Sequence, residues 1–194
     1  MRFSEIDKGA RPREYNNAII WLTDSMIVNV GHGISEPRIA LGLSEKQDDL
    51  RCYMGDTGLL ISLAFNEKEL VSEEIYQKIL TDKLDFNGGM VAENIISQML
   101  VAGGHRLHFY YNPTRENAED RMEIDFIIAK SKITSRHNLS PIEAKSGKNY
   151  TLNSLNKFMV KYKENLDQAY VVHTGNLKVE NGIVYLPMYM TGLL

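Results

Sequence analysis

The chemistry of this chain is concentrated in two short runs, Glu123-Ile-Asp-Phe-Ile-Ile and Pro141-Ile-Glu-Ala-Lys. Both have the apolar or alternating make-up of strands, and successive side chains on a strand point to opposite faces. In the first run Asp125 therefore points away from Ile124 and Phe126. In the second, Glu143 and Lys145 share one face, and Ile142 and Ala144 take the other. If the two strands pair, Asp125, Glu143 and Lys145 converge. Two carboxylates at one point repel each other unless a cation lies between them. All-oxygen donors suit Mg²⁺ or Mn²⁺ better than zinc. A lysine beside such an ion can stabilise charge developing on a phosphate or orient the attacking water. Together these groups are what phosphodiester hydrolysis requires. The plainer alternative is that Glu143 and Lys145 form an exposed same-face ion pair, worth about 0.5 kcal/mol.

The elements that must position these side chains are legible as periodicity. The spacing of Val91, Ala92, Ile95, Ile96, Met99 and Leu100 predicts a helix over Met90 to Val101, ended by Gly103-Gly104. Glu93 lies at the edge of its apolar stripe, within reach of a site at the sheet surface. Three strands are expected next, at Leu107 to Tyr111, Met122 to Ala129 and Pro141 to Ser146. In the second of these Met122, Ile124, Phe126 and Ile128 share one face. A helix capped by Ser154, with Leu155, Phe158, Met159 and Tyr162 on its buried face, leads to strands at Ala169 to His173 and Ile183 to Leu186. The order is α-β-β-β-α-β-β, an α/β fold with a mixed sheet flanked by helices.

Before this core, Tyr15, Ala18, Ile19, Leu22 and Met26 recur at helical spacing. A short strand follows at Ile27 to Val30. Gly31 and Gly33 then open a polar stretch through Asp49, and a second strand lies at Arg51 to Met54. Helix, strand, long loop and strand make a small helical or winged-helix-like module of residues 1–66; the alternative is a capping subdomain with no contact to a nucleic-acid groove. Asp56 is expected to cap a helix from Thr57 to Phe65. Ser72 caps another, carrying Ile75, Ile79 and Leu80. The second unit is residues 67–194, with Asn87-Gly88-Gly89 opening its core.

Composition narrows the function classes. With 43% apolar and 24% charged residues the chain is globular, and a net charge of −3 argues against a protein that coats nucleic acid by bulk charge. It leaves room for an acidic metal site with local lysines. The single cysteine, Cys52, excludes an internal disulfide framework, so a reducing cytoplasm is expected. No stretch has the length of a membrane span. His105 and His108 would face opposite sides of a strand and make a poor metal pair. His137 lies in a polar loop. Lys148, Asn149 and Tyr150, just past the Glu-Ala-Lys strand, could touch a phosphate backbone or form an ordinary polar turn.

The run around Asp125, followed by Pro141-Ile-Glu-Ala-Lys-Ser-Gly-Lys, resembles the PD-(D/E)XK nuclease-like superfamily. More narrowly, the chain resembles the uncharacterised C-terminal domain of prokaryotic AAA-type ATPases. There, a segment like Asp56 to Leu60 precedes a helix bearing an acid (here Gly89-Met-Val-Ala-Glu-Asn), and a later helix is similar to Ser154-Leu-Asn-Lys-Phe. Lys8-Gly-Ala-Arg-Pro-Arg-Glu-Tyr and Ala18 to Leu22 look like the segment joining the ATPase module to this domain. The resemblance spans nearly the whole chain and rests on the order and spacing of these segments. It implies a restriction-endonuclease-like fold with Glu93, Asp125, Glu143 and Lys145 at the site. Asp125, Glu143 and Glu93 would surround Mg²⁺ or Mn²⁺, and DNA would be the substrate. The proline that names the superfamily does not directly precede Asp125. The resemblance also implies an alternative, a catalytically silent interaction or regulatory domain for an AAA-type ATPase partner. No phosphate-binding loop is present, because Ser146-Gly-Lys-Asn lacks the preceding glycine and the hydroxyl, so ATP hydrolysis is not expected of this chain.

Overall fold

A computed structural model of the chain describes residues 12–38, 40–65, 88–114, 117–129, 137–147 and 149–194. The helix expected around Ser72 to Leu80 lies outside the described residues, as does Lys148. Four α-helices are described, α1 (Pro12–Asp24), α2 (Thr57–Phe65), α3 (Gly88–Ala102) and α4 (Asn153–Lys161), with two short 3-10 helices at Leu41–Leu43 and Met188–Leu193. The strands are β1 (Val28–Ile34), β2 (Glu45–Met54), β3 (His108–Asn112), β4 (Met122–Ala129), β5 (Leu139–Lys145), β6 (Ala169–His173), β7 (Lys178–Glu180) and β8 (Ile183–Pro187).

The strands form one eight-stranded sheet in the order β2-β1-β3-β4-β5-β6-β8-β7. The run β3-β4-β5 is antiparallel, whereas β5, β6 and β8 run parallel to one another. This is the α/β architecture with a mixed, helix-flanked sheet that the alternation of elements predicts. The N-terminal helix and strands are present too. Their strands continue the same sheet, since β1 pairs antiparallel with β2 and parallel with β3.

Each face of the sheet has its own apolar core. On one side Leu155 and Phe158 of α4 pack on Ile34, Tyr110, Ile124, Ile127, Leu139 and Val171. On the other, Ile96 and Leu100 of α3 pack on Tyr53, Phe126, Ile128, Ile142, Val172 and Leu186. Helix ends follow from local chemistry. The Asp56 carboxylate accepts the Leu59 N–H at 2.8 Å, as expected of an N-cap. After α3 the His105 N–H reaches Leu100 C=O and the Gly104 N–H reaches Val101 C=O, with Gly104 at φ 86°. That is the Schellman arrangement, in which glycine carries the left-handed turn. The same pattern closes α1, but there Met26 takes the left-handed position at φ 58°.

Several expectations are corrected. Gly31 and Gly33 lie inside β1 rather than in a loop, and Glu45 to Asp49 belong to β2. Charged residues at those positions are compatible with an edge strand. Ser154 does not cap α4: the helix starts at Asn153 after Leu152, with no side-chain cap. The short strand β7, with all three residues exposed, was not anticipated because it has no apolar face to signal it. In β4, Phe126 and Ile128 do not share a face with Ile124, for a reason that shapes the site below.

Gly55 shows how tightly the N-terminal hairpin is fitted. A Cβ there would stand 2.1 Å from the Met26 carbonyl oxygen, whereas one at Gly42 would meet nothing within 4 Å. Gly55→Ala should therefore cost about 1–3 kcal/mol, and Gly42→Ala no more than about 0.5 kcal/mol. Denaturant midpoints of the two variants check this; equal midpoints would show that the hairpin yields at Gly55.

Candidate active site

Strand β4 carries one residue too many for its neighbour. His108 of β3 pairs with Ile127, but Tyr110, two residues further, pairs with Ile124. Three steps on β4 answer two on β3, which is a β-bulge at Asp125 and Phe126. A bulge resets the alternation of faces. Ile124 and Ile127 accordingly pack in the α4-side core, while Phe126 and Ile128 pack in the α3-side core.

On the other side of β4 the ladder with β5 runs from Ala129↔Leu139 to Phe126↔Ile142 and stops there. Beyond it the Asp125 side chain takes over the bonding. Its Oδ2 accepts the N–H of Ala144 at 2.9 Å. Ala144 separates Glu143 from Lys145, so the bulge delivers the aspartate to the Glu-Ala-Lys segment. Ile142 and Ala144 pack with the α3-side core, and by alternation Glu143 and Lys145 project from the other side of β5. Glu143 is buried, and its Oε2 accepts a hydrogen bond from Lys145 Nζ at 2.7 Å. This is a largely desolvated pair rather than the exposed one of the plainer alternative.

Glu93 stands on α3, which packs on the sheet face opposite to the one from which Glu143 and Lys145 project, and it lies within electrostatic range of Asp125, Arg51, Glu123 and Lys145. That helix is fixed to the end of β2 by Asn94, whose side chain accepts the Met54 N–H at 2.7 Å and donates to the Met54 carbonyl at 3.1 Å. Three groups that sequence reasoning did not single out stand here as well: Arg51, Tyr53 and Glu123. Arg51 makes an ion pair with Glu123, and its Nη1 is 3.9 Å from Asp125 Oδ1. The alternation Arg51-Cys52-Tyr53 on a strand was a usable signal, since Tyr53 on an apolar face puts Arg51 beside it.

Electrostatics show a site with more negative charge than its two cations balance. Burial, with Asp125 next, pushes the carboxyl groups of both Glu93 and Glu143 up to about 7. Burial also raises Asp125, against the opposing pull of the Ala144 N–H, Lys145 and Arg51. For Lys145 burial favours the neutral amine, but the Glu143 hydrogen bond and charge outweigh it and hold the ammonium above its ordinary value. Carboxylate oxygens with an excess of negative charge are the donor chemistry that suits a hard divalent cation. Among the described residues no three His, Cys, Asp or Glu side chains stand grouped to hold a metal ion. Mg²⁺ is often held by one or two carboxylates, with water and phosphate oxygens completing its shell, so Asp125 and Glu143 are the pair suited to it. Glu93 senses Asp125, Arg51, Glu123 and Lys145.

The remaining candidates lie elsewhere. His108 is buried and its Nε2 is 2.9 Å from Glu45 Oε1, with Arg106 on the other carboxylate oxygen at 3.0 Å. His105 precedes β3. Asn149 is exposed, and Tyr150 packs against the α4-side core. Cys52 is exposed.

Residues 88–190, more than half of the chain, match the family described as Domain of unknown function (DUF4143). The chain belongs to that family. The DUF4143 match takes in Glu93, Asp125, Glu143 and Lys145 and leaves Arg51 and Tyr53 outside it. Its description assigns no activity. No curated protein and no solved structure matches the chain. Among the described residues no helix is long and apolar enough to cross a membrane.

The raised Glu143 carboxyl gives a measurable sign. In the folded, metal-free protein it holds its proton to about pH 7, against about 4.5 for an ordinary glutamate. The folded state therefore binds more protons than the unfolded chain in that window, and stability must fall as pH rises through it. Glu143→Gln removes this contribution. With chelator present, wild type should lose up to about 3 kcal/mol relative to the variant between pH 5 and pH 8. Parallel denaturation curves at both pH values test it; an unchanged difference would mean that Lys145 fully compensates the buried charge.

Proposed function

We propose that this chain is a nuclease-like domain whose site hydrolyses phosphodiester bonds of DNA with the help of Mg²⁺ or Mn²⁺. The supporting observation is the coupling of the β4 bulge to β5, with the Asp125 carboxylate bonded to the backbone between Glu143 and Lys145. The resemblance of these two strands to the PD-(D/E)XK superfamily supports the same reading, as does the uncompensated negative charge.

The roles follow from the surroundings of each group. Asp125 and Glu143 would hold the ion, which when bound supplies Lewis-acid polarisation of the phosphate and acidifies water. Asp125 is aimed by its hydrogen bond to Ala144. Lys145 carries a proton at neutral pH and has three donors, of which Glu143 takes one. The others can meet a phosphate oxygen or the attacking water. Glu93, half protonated near neutrality, can accept a hydrogen bond from water around the ion or donate one. A cytoplasmic location, and an AAA-type ATPase module as partner in longer relatives, belong to the same proposal.

Two measurements test it. Millimolar Mn²⁺ should raise the melting temperature of wild type through preferential binding to the folded state. Asp125→Asn keeps an acceptor for the Ala144 N–H, yet should abolish the rise. On supercoiled, linear and branched DNA, Lys145→Ala should bind Mn²⁺ nearly as wild type does but cleave about a hundredfold more slowly, a loss of roughly 3 kcal/mol of transition-state stabilisation. A wild type with neither a thermal shift nor cleavage would instead support a silent interaction or regulatory domain for an ATPase.

A further inference from the structure

Strand β2 is an edge strand, separated from β4 by β1 and β3, yet its side chains reach the site. Two features allow this. Arg51 pairs with Gly31 of β1, so no side chain of β1 stands in its way. A Cβ at Gly31 would come within 3.5 Å of the Tyr53 ring, 3.6 Å of the Leu107 Cβ and 3.8 Å of the Arg51 Cβ, so these three residues close over β1 there. Beyond it, Phe109 of β3 offers its ring to the guanidinium, whose centre lies 4.3 Å from the ring centroid. A flat cation stacked on an aromatic face is held in orientation while its edge stays free to donate.

That edge points at β4. Arg51 Nη2 is paired with Glu123, and Nη1 is 3.9 Å from Asp125 Oδ1, too far for a hydrogen bond. A guanidinium has five N–H donors, so the fork retains capacity beside Asp125. Tyr53 adds a second donor. Its ring is packed against Phe126, with centroids 5.4 Å apart, and the residue is 8% exposed. Its hydroxyl is buried with no acceptor for its proton among the described residues, and Arg51 stands close enough to act as a donor toward its oxygen. Tyr53 and Arg51 flank the same gap over Gly31, and Arg51, Glu93 and Asp125 all act on that hydroxyl electrostatically. A buried hydroxyl proton without an acceptor is unfavourable unless something else supplies one.

We infer that Arg51 and Tyr53 form a seat for a phosphate oxygen of a nucleic-acid backbone beside Asp125, the guanidinium supplying charge and the phenol a neutral donor. The substrate class rests on the proposed phosphodiester chemistry; the seat rests on the two donors. Both residues lie outside the DUF4143 match, so the N-terminal hairpin would complete a site whose acids lie in the matched region. Arg51 and Tyr53 bind the substrate backbone directly without taking part in bond cleavage, and Glu123 tempers the charge of Arg51.

The test is binding of a fluorescein-labelled DNA duplex, followed by anisotropy in Ca²⁺ at several salt concentrations, together with melting temperatures and Mn²⁺ titrations. Arg51→Gln should weaken duplex binding about tenfold and reduce the salt slope by about one. Mn²⁺ binding should not weaken. Arg51→Lys should recover only part of the loss, because an ammonium lacks the planar fork. Tyr53→Phe should weaken binding a fewfold without lowering the melting temperature. Glu123→Gln separates this role from a structural one. If Arg51 serves only to pair with Glu123, both glutamine variants lose binding together; if it seats phosphate, Glu123→Gln binds as well as or better than wild type. A wild type that binds no duplex, or Arg51→Gln and Tyr53→Phe variants that bind like wild type, overturns the seat. Cleavage is measured separately. Arg51-dependent binding without cleavage keeps the seat and removes the hydrolytic reading. Cleavage with unchanged kcat and KM in both variants removes the seat and leaves that reading standing.

Discussion

One extra residue in β4 governs the arrangement around it. A regular strand would continue the ladder to β5 and close the backbone at Asp125. The bulge against β3 ends that ladder at Phe126 and Ile142, and the Asp125 carboxylate then takes the Ala144 N–H that the ladder leaves. An acid is thus fixed by a backbone donor at the place where two strands part. The same offset sends Ile124 into one core and Phe126 into the other, although they stand two residues apart. The apolar packing on both faces therefore holds the bulge in place, and a buried acid is kept where burial alone would disfavour it.

Much of the fold was legible because its elements obey simple periods. The apolar stripe of α3, the bounds of β4 and β6, and the cap at Asp56 follow from helical spacing, alternation and side-chain chemistry. The acids and lysine were legible for the same reason, since Glu143 and Lys145 sit at i and i+2 on a plain strand. Legibility fails where a period is interrupted. Alternation placed Phe126 on the same face as Ile124, and a bulge leaves no mark in a sequence. Gly31 and Gly33 read as a loop, because glycine is equally the mark of a turn and of a strand crossed closely by a neighbouring side chain. Arg51 is legible only in part: its alternation with Tyr53 marks its face, but its reach to Asp125 depends on two intervening strands that nothing local to residues 51–54 reveals.

At the site, burial and charge are balanced between carboxyl groups and two cations. Acids come from α3, β4 and β5, and cations from β2 and β5. Helix α3 is tied to the end of β2 through Asn94 and Met54, which fixes Glu93 relative to Arg51. Burial raises all three carboxyls, Glu93, Asp125 and Glu143, and the two cations do not fully compensate it at any of them.

The parallel pairing of β1 with β3 has a consequence for the order in which the molecule is built. His32 meets His108 across a long stretch of intervening sequence, whereas β3, β4 and β5 follow one another in the chain. Closing a long loop costs more configurational entropy than forming neighbouring hairpins, and contacts of that kind form late and slowly. The central antiparallel strands can therefore assemble first, with their acids in place, before the N-terminal hairpin docks. Until it does, Asp125 lacks the arginine that faces it in the folded molecule, and Lys145 is the cation already beside the acids of β4 and β5.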